Sequence, residues 1–189
     1  SDYRPYDGSQ VLRKEPGVLY VYYPVNRYVL NPSFRSNKET LDKIIYLTQR
    51  VAADSAADVR FIEVIGLASP EGPLDYNIGL AQQRAESLAQ YIQERTGYPD
   101  SLFRIVSGGP AWAELRDYIS DVDTAGTFYN NLLQLIDTIA DPVDRERALR
   151  QFDGGRAYRY LIDKAMPELR NAGYVRIYYD NAPDRVAII

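Results

Sequence analysis

The chain has no cysteine and no histidine. Those two absences remove thiol catalysis, zinc fingers, Ser-His-Asp triads and most transition-metal sites together. The missing cysteines do not fix a compartment, because a periplasmic and a cytosolic chain can both do without them. There is no apolar run near the ~20 residues that cross a bilayer, so the chain is expected to be soluble as given. No leader is read at Ser1, which leaves a processed N-terminus or a piece of a longer protein as the two expectations. Any lipid anchor or barrel would lie outside what is read. Basic clusters are also lacking, and the net charge is −4, which argues against nucleic acid as a partner. What is abundant is tyrosine, 17 among 189 residues. A ring with a polar tip suits half-buried sheet edges and ligand-facing surfaces. With 46% hydrophobic residues the chain can bury a real core.

The most informative stretch runs from Val59 to Ile92. Val59, Phe61, Ile62, Val64 and Ile65 predict a strand buried on both faces. Gly66 closes it, and Ser69-Pro70-Glu71-Gly72-Pro73 makes a turn rich in backbone-restricting residues. Asp75 is expected to cap a helix, whose buried face is spaced at Ile78, Ala81, Ala85, Leu88, Ala89 and Ile92. A buried strand that stops at a polar turn and re-enters as a helix leaves N–H donors free, and anions are commonly held there.

The spacing Gly66, Gly72, Asn77, Leu80, Arg84, Ala85 resembles the signature of the C-terminal domain of outer-membrane protein A, the OmpA-like peptidoglycan-anchoring family. Tyr76-Asn77 and Gly79-Leu80 fall in register with the family pattern, and Arg84-Ala85 stands at its arginine. The resemblance implies that an Asp and this Arg together hold the carboxylate and amine of diaminopimelate in the wall peptide. Here the Asp position is Ser69 and the preceding Thr position is Ala68. Ser exchanges single hydrogen bonds but cannot pair with an ammonium group. Glu71 is the nearby acid able to stand in. In this the chain resembles a Ser-Pro-Glu-Gly variant branch of these domains from gut-dwelling Gram-negative anaerobes.

The rest of the chain is read in order. Residues 1–17 are polar and are expected to be an N-terminal arm. Val18 to Tyr23 predicts a first strand, and Pro24 to Ser33 a loop that walls the ligand site in the family. Ser36-Asn37 are expected to cap a helix with a stripe at Leu41, Ile44, Ile45, Leu47, Thr48 and Val51. Gly97 and Pro99 end the second helix, and Phe103 to Val106 predicts a third strand. Where the family returns to a last strand, residues 108–173 intervene with helical periodicity: Ala111 to Ile119, Phe128 to Ile139, a segment opened by Asp141-Pro142 and ended at Gly154-Gly155, and Ala157 to Leu169 broken by Pro167. Tyr174 to Tyr179 predicts the closing strand, with Val186 to Ile189 able to add an edge.

The expected fold is therefore α/β, an α+β two-layer arrangement. It has a β-α-β-α-β core, a mixed four-stranded sheet, two helices on one face, and a helical insertion before the last strand. The whole is read as a single domain over 1–189, with an arm (1–17), core (18–107), insertion (108–173) and closing strand and tail (174–189).

Six residues are candidates for ligand binding. Arg84 is either a solvated helix arginine or, as the resemblance implies, a guanidinium fork on a carboxylate. Asn77 lies two turns before it on the same helical face and either braces the turn or touches ligand. Ser69 is a cap or a hydrogen-bond donor, and Glu71 an exposed turn acid or the substitute for the missing Asp. Gly66 and Gly72 are backbone devices, needed for positive φ or close approach. Glu71 with Asp75, or Asp121 with Asp123, can be imagined as an acid/base pair, but paired turn acids are ordinarily just solvated, so no enzyme is expected. Asp117, Asp121 and Asp123 lack the glycine and terminal glutamate of a calcium loop, so no metal or cofactor is expected either. Trp112 is core, or a surface for sugar or protein contact. The partner implied is the peptidoglycan peptide stem, at the periplasmic face of the outer membrane, and the function is anchoring of that membrane to the wall. The alternative is an outer-membrane protein-interaction or assembly module that has lost wall binding, with the inserted helices as its working surface; homodimerisation is open.

Overall fold

Strand β2 (Val59–Ala68) has neighbours on both faces and both edges. The computed structural model describes residues 2–5, 11–53, 59–121, 127–170, 175–179 and 186–188. Because successive strand side chains point to opposite faces, β2 divides its apolar residues between two clusters. Ile62 and Val64 pack with Leu41 and Ile44 of α1 (Asn37–Ala53) and with Ala85, Leu88 and Ile92 of α2 (Leu74–Thr96). Ile65 and Leu67 pack with Trp112, Leu115 and Ile119 of α3 (Trp112–Asp121) and with residues of α4 (Thr127–Thr138), α5 (Pro142–Gln151) and α6 (Arg156–Lys164). The two-layer expectation is thus corrected: helices cover both faces of β2. The amphipathic stripes of the inserted helices need an apolar partner, and the second face of the sheet supplies it.

The sheet is mixed, in the order β1-β3-β2-β4-β5, so among the described residues it holds five strands rather than the expected four. β3 (Phe103–Pro110) runs parallel to β2, with Val64 opposite Ile105. On the other edge β4 (Val175–Tyr179) runs antiparallel, with Val64 opposite Val175. β5 (Val186–Ile188) extends that edge, and β1 (Asp2–Tyr3) pairs parallel with β3. The expected arm is therefore partly structured. Beyond β1 it makes a 3₁₀ turn at Leu12–Lys14 and is tied down by Arg4 Nη2 on Glu63 Oε2 at 2.7 Å.

Val18 to Tyr23 does not form the expected first strand. The segment keeps one bridge residue, Tyr22, and a side chain takes up its remaining polar groups: Tyr22 N donates to Asn37 Oδ1 at 2.8 Å, and Asn37 Nδ2 donates back to Tyr22 O at 2.9 Å. Tyr23 N donates to Arg170 O. A buried main chain needs partners, and an amide carrying both a donor and an acceptor can mimic a strand edge. Asn37 consequently does not act as the expected helix cap. Asp75 also misses its expected place, because α2 starts at Leu74 and the cap position is Pro73. Other local readings hold. Gly97 ends α2 at φ 75°, and Asp141 Oδ1 accepts from Val143 N and Asp144 N at the head of α5, with Pro142 in its first turn.

Gly66 does not close the strand as expected, because β2 runs on to Ala68; it is required by close approach rather than by its φ. A Cβ there would lie 1.9 Å from Ala81 O and 2.9 Å from Ala85 N, both on the α2 backbone. Gly66→Ala is expected to cost about 1–3 kcal/mol through displacement of α2 from β2, and a urea midpoint equal to wild type would contradict this.

Candidate functional site

The turn after β2 emerges at the carboxyl end of the strand, and its internal bonds come from residues that the sequence singled out. Asn77, buried on the first turns of α2, donates from Nδ2 to Glu71 O at 2.8 Å. Ser69, also buried, donates from Oγ to Glu71 Oε1 at 2.9 Å. Gly72 takes φ +90°, a value open to glycine with little strain. Of the alternatives weighed for Asn77, bracing of the turn is the one its contacts show. Glu71 Oε1 has a second partner that local sequence did not disclose, Arg170 Nη2 at 2.7 Å. Both side chains are mostly buried, and Arg170 Nε has no hydrogen-bond partner. Arg170 lies 99 positions from Glu71. The available hint was a chemical one: a carboxylate in a turn this compact needs a cation.

Arg84 lies beneath the same turn but does not open outward. Its Nε donates to Arg27 O at 2.9 Å, Nη1 to Leu67 O at 3.2 Å and Nη2 to Pro24 O at 3.3 Å. The residue is 1% exposed, with its guanidinium 5.3 Å from the Tyr23 ring centre. Desolvation by burial pulls its pKa down to about 10, with Tyr23 offsetting part of that and the like charge of Arg170 adding to it. The expected fork toward a guest is therefore corrected. The guanidinium grips three main-chain carbonyls and ties the 24–27 loop to the end of β2. The planar five-donor group suits this because its donors diverge at fixed angles.

Of the six candidate residues, Ser69, Glu71, Gly72 and Asn77 meet in one turn, while Arg84 and Gly66 lie under it. The acids weighed elsewhere have other partners. Asp117 is held by Arg13 Nη2 at 2.7 Å and Lys14 Nζ at 2.6 Å, and Asp121 by Lys14 at 3.6 Å. Asp123 lies outside the described residues. Among the described residues no group of three or more acids stands placed to hold a metal ion. Trp112 is 1% exposed and belongs to the core on the inserted-helix side.

A buried acid that composition alone did not mark is Glu114 on α3. Its Oε1 accepts from Leu12 N at 2.7 Å, while Oε2 accepts no hydrogen bond and lies 3.6 Å from Arg13 Nε. Burial pushes its carboxyl up to about 7, with the Leu12 N–H and Arg13 pulling the other way.

No family model matches the chain, and no curated protein matches it either. A crystal structure of the peptidoglycan-associated lipoprotein from Burkholderia pseudomallei resembles it with TM-score 0.37 and 22% identity, over 49% of this chain and 70% of that one. A likeness that loose assigns neither a role to any residue nor an activity. No described helix is long and apolar enough to cross a membrane.

Proposed function

We propose that the chain binds peptide stems of peptidoglycan non-covalently, and so tethers the outer membrane to the wall from its periplasmic face. The observation that supports this is the Glu71–Arg170 pair set in the turn, 2.7 Å apart, with Ser69 on the same carboxylate oxygen. A guest carrying an ammonium and a carboxylate on one carbon exchanges one ion pair for two. Its ammonium goes to Glu71 and its carboxylate to Arg170, whose Nε is without a partner. That is the zwitterionic chemistry of diaminopimelate, which the resemblance implies, with Glu71 in place of the family Asp. Arg84 contributes from beneath, fixing the end of β2 through Leu67 O and adding positive potential in a poorly solvated place.

Retention on purified sacculi tests the reading. Wild type is expected to be retained, and Glu71→Gln or Arg170→Ala to lose about tenfold in affinity or more. Equal retention of all three would contradict it.

The assembly reading has its own observation. Val25 is 52% exposed, Tyr28 46% and Val29 71%, all in the loop that Arg84 clamps to α2. Exposed aromatic and aliphatic residues on a pinned loop suit contact with another outer-membrane protein. Titration with a diaminopimelate-containing peptide separates the two: wall anchoring requires saturable binding, and an assembly module predicts none.

A further inference from the structure

A groove of about 360 Å³ runs between the 24–33 loop and the outer face of α2. Tyr28 and Val29 form its loop wall, and Glu86, Ser87, Tyr91 and Glu94 stand on its helix wall. The turn residues Ser69 to Gly72 do not line it. We propose that this groove docks an extended segment of a partner protein that presents two cationic side chains four positions apart, with an apolar residue midway. The proposal rests on the assembly reading, to which it adds the chemistry of the partner, and not on wall binding.

Both walls are fixed before any partner arrives. Arg84, 1% exposed, donates from Nε to Arg27 O and from Nη2 to Pro24 O, so Tyr28 and Val29 are presented on a pinned backbone. Ser87 is held by Tyr23 OH at 2.6 Å and by Arg84 O at 2.9 Å. Positions 83, 87, 90 and 94 follow one another at helical three- and four-residue steps, so the polar groups of this wall form a row along the helix. A surface already ordered loses little entropy on binding.

Charge selects the occupant. The two charged side chains that line the groove are both acids, and among the described residues no basic side chain lines it. Glu86 Oε1 accepts from Gln82 Nε2 at 2.9 Å, a neutral donor that leaves the charge uncompensated. Glu94 Oε1 accepts from Gln90 Nε2 at 3.0 Å. Arg95 is the cation that opposes a basic guest: its Nη1 lies 3.9 Å from Glu94 Oε2, so Glu86 offers the stronger hold of the two. Arg95 also shows what these rings accept, because its guanidinium stacks 3.5 Å from the centre of the Tyr91 ring. A cation entering beside Tyr28 finds a second ring of the same kind.

Spacing sets the pattern in the partner. Glu86 and Glu94 are eight helical residues apart, or ~12 Å along the axis at ~1.5 Å per residue. An extended chain advances ~3.3 Å per residue, so four positions cover that span. Even spacing keeps both cations on one face of the strand, together with the residue between them. That middle side chain meets Val29, which is 71% exposed.

The peptide acetyl-Lys-Ser-Leu-Ser-Lys-amide, titrated against the full chain, is expected to shift the backbone amide resonances of Gln83 to Glu94 saturably. Its isomer acetyl-Lys-Lys-Leu-Ser-Ser-amide, with adjacent cations on opposite faces, is expected to bind more weakly, and acetyl-Glu-Ser-Leu-Ser-Glu-amide to leave the spectrum unchanged. Glu86→Gln combined with Glu94→Gln is expected to weaken the dicationic peptide about tenfold. Both side chains are exposed, so the unfolding midpoint should stay at the wild-type value. Glu71→Gln is expected to leave the titration as in wild type, and the double variant to leave retention on sacculi unchanged, which keeps failure of wall binding distinct from failure here. Binding of the dianionic peptide as tight as that of the dicationic one would leave the assembly reading standing and overturn this assignment. No saturable shift with the dicationic peptide, or shifts that the double variant does not weaken, would overturn it as well.

Discussion

Arg84→Ala is expected to lower the unfolding free energy by about 3–5 kcal/mol, the range for truncating a buried charged group that leaves its partners unpaired. The substitution strands the carbonyls of Pro24, Arg27 and Leu67, which now receive its three N–H groups. It also empties the space beside the Tyr23 ring, whose own hydroxyl donates to Arg84 O at 3.0 Å. Arg84→Lys is expected to recover part of the loss. An ammonium keeps the charge and three donors, but it is a point and cannot span carbonyls on three sides. Urea unfolding of the three proteins measures this directly. A solvent-facing arginine would behave otherwise, with alanine leaving the midpoint in place; that outcome would show that the clamp contributes nothing.

Glu114→Gln is expected to stabilise the protein at alkaline pH by on the order of 3 kcal/mol and to flatten its pH profile. The folded carboxyl titrates at about 7, whereas the ordinary value is 4.5. Between those values the folded state keeps a proton that the unfolded state has released. The favourable contribution is therefore complete below pH 4.5, is lost as pH rises to 7, and stays lost above it. Each pH unit of displacement corresponds to about 1.36 kcal/mol. Glutamine keeps an oxygen for Leu12 N and carries no charge to bury. The stability difference between variant and wild type, followed from pH 4 to pH 8, should grow across that window. A difference that does not vary with pH would mean that the buried acid stays ionised beside Arg13.

The parts of the structure that sequence reveals are those set by neighbours along the chain. β2 and α2 form over the apolar run and the period-3.6 spacing that predicted them, although β2 runs past Gly66 to Ala68 and α2 starts ahead of Asp75, and Asp141-Pro142 opens α5 as its cap chemistry requires. What escaped depends on distant partners. Val18 to Tyr23 has strand composition, but its pairing surface is the Asn37 amide and the Arg170 carbonyl. Two residues of edge pairing at Asp2–Tyr3 carry no recognisable signature. Helical stripes in the inserted stretch were visible, but a stripe does not say what it packs on. At the turn the same division holds. Ser69, Glu71 and Asn77 were brought together as local spacing suggested. Periodicity put Arg84 on the correct helical face without showing that its head folds inward onto a loop. Arg170 lay too far along the chain for any local pattern to find.

The antiparallel edge of β2 has one further consequence. Val64 pairs with Val175, more than a hundred residues later, whereas β3 and α2 are close at hand in the chain. As the polypeptide leaves the ribosome, a long apolar edge of unpaired N–H and C=O groups has no partner until more than a hundred further residues have been made. Such edges recruit one another between molecules. Truncation just ahead of β4 would convert the centre of the sheet into a seed for aggregation, and late arrival of that strand makes crowding during synthesis the hazard this topology carries.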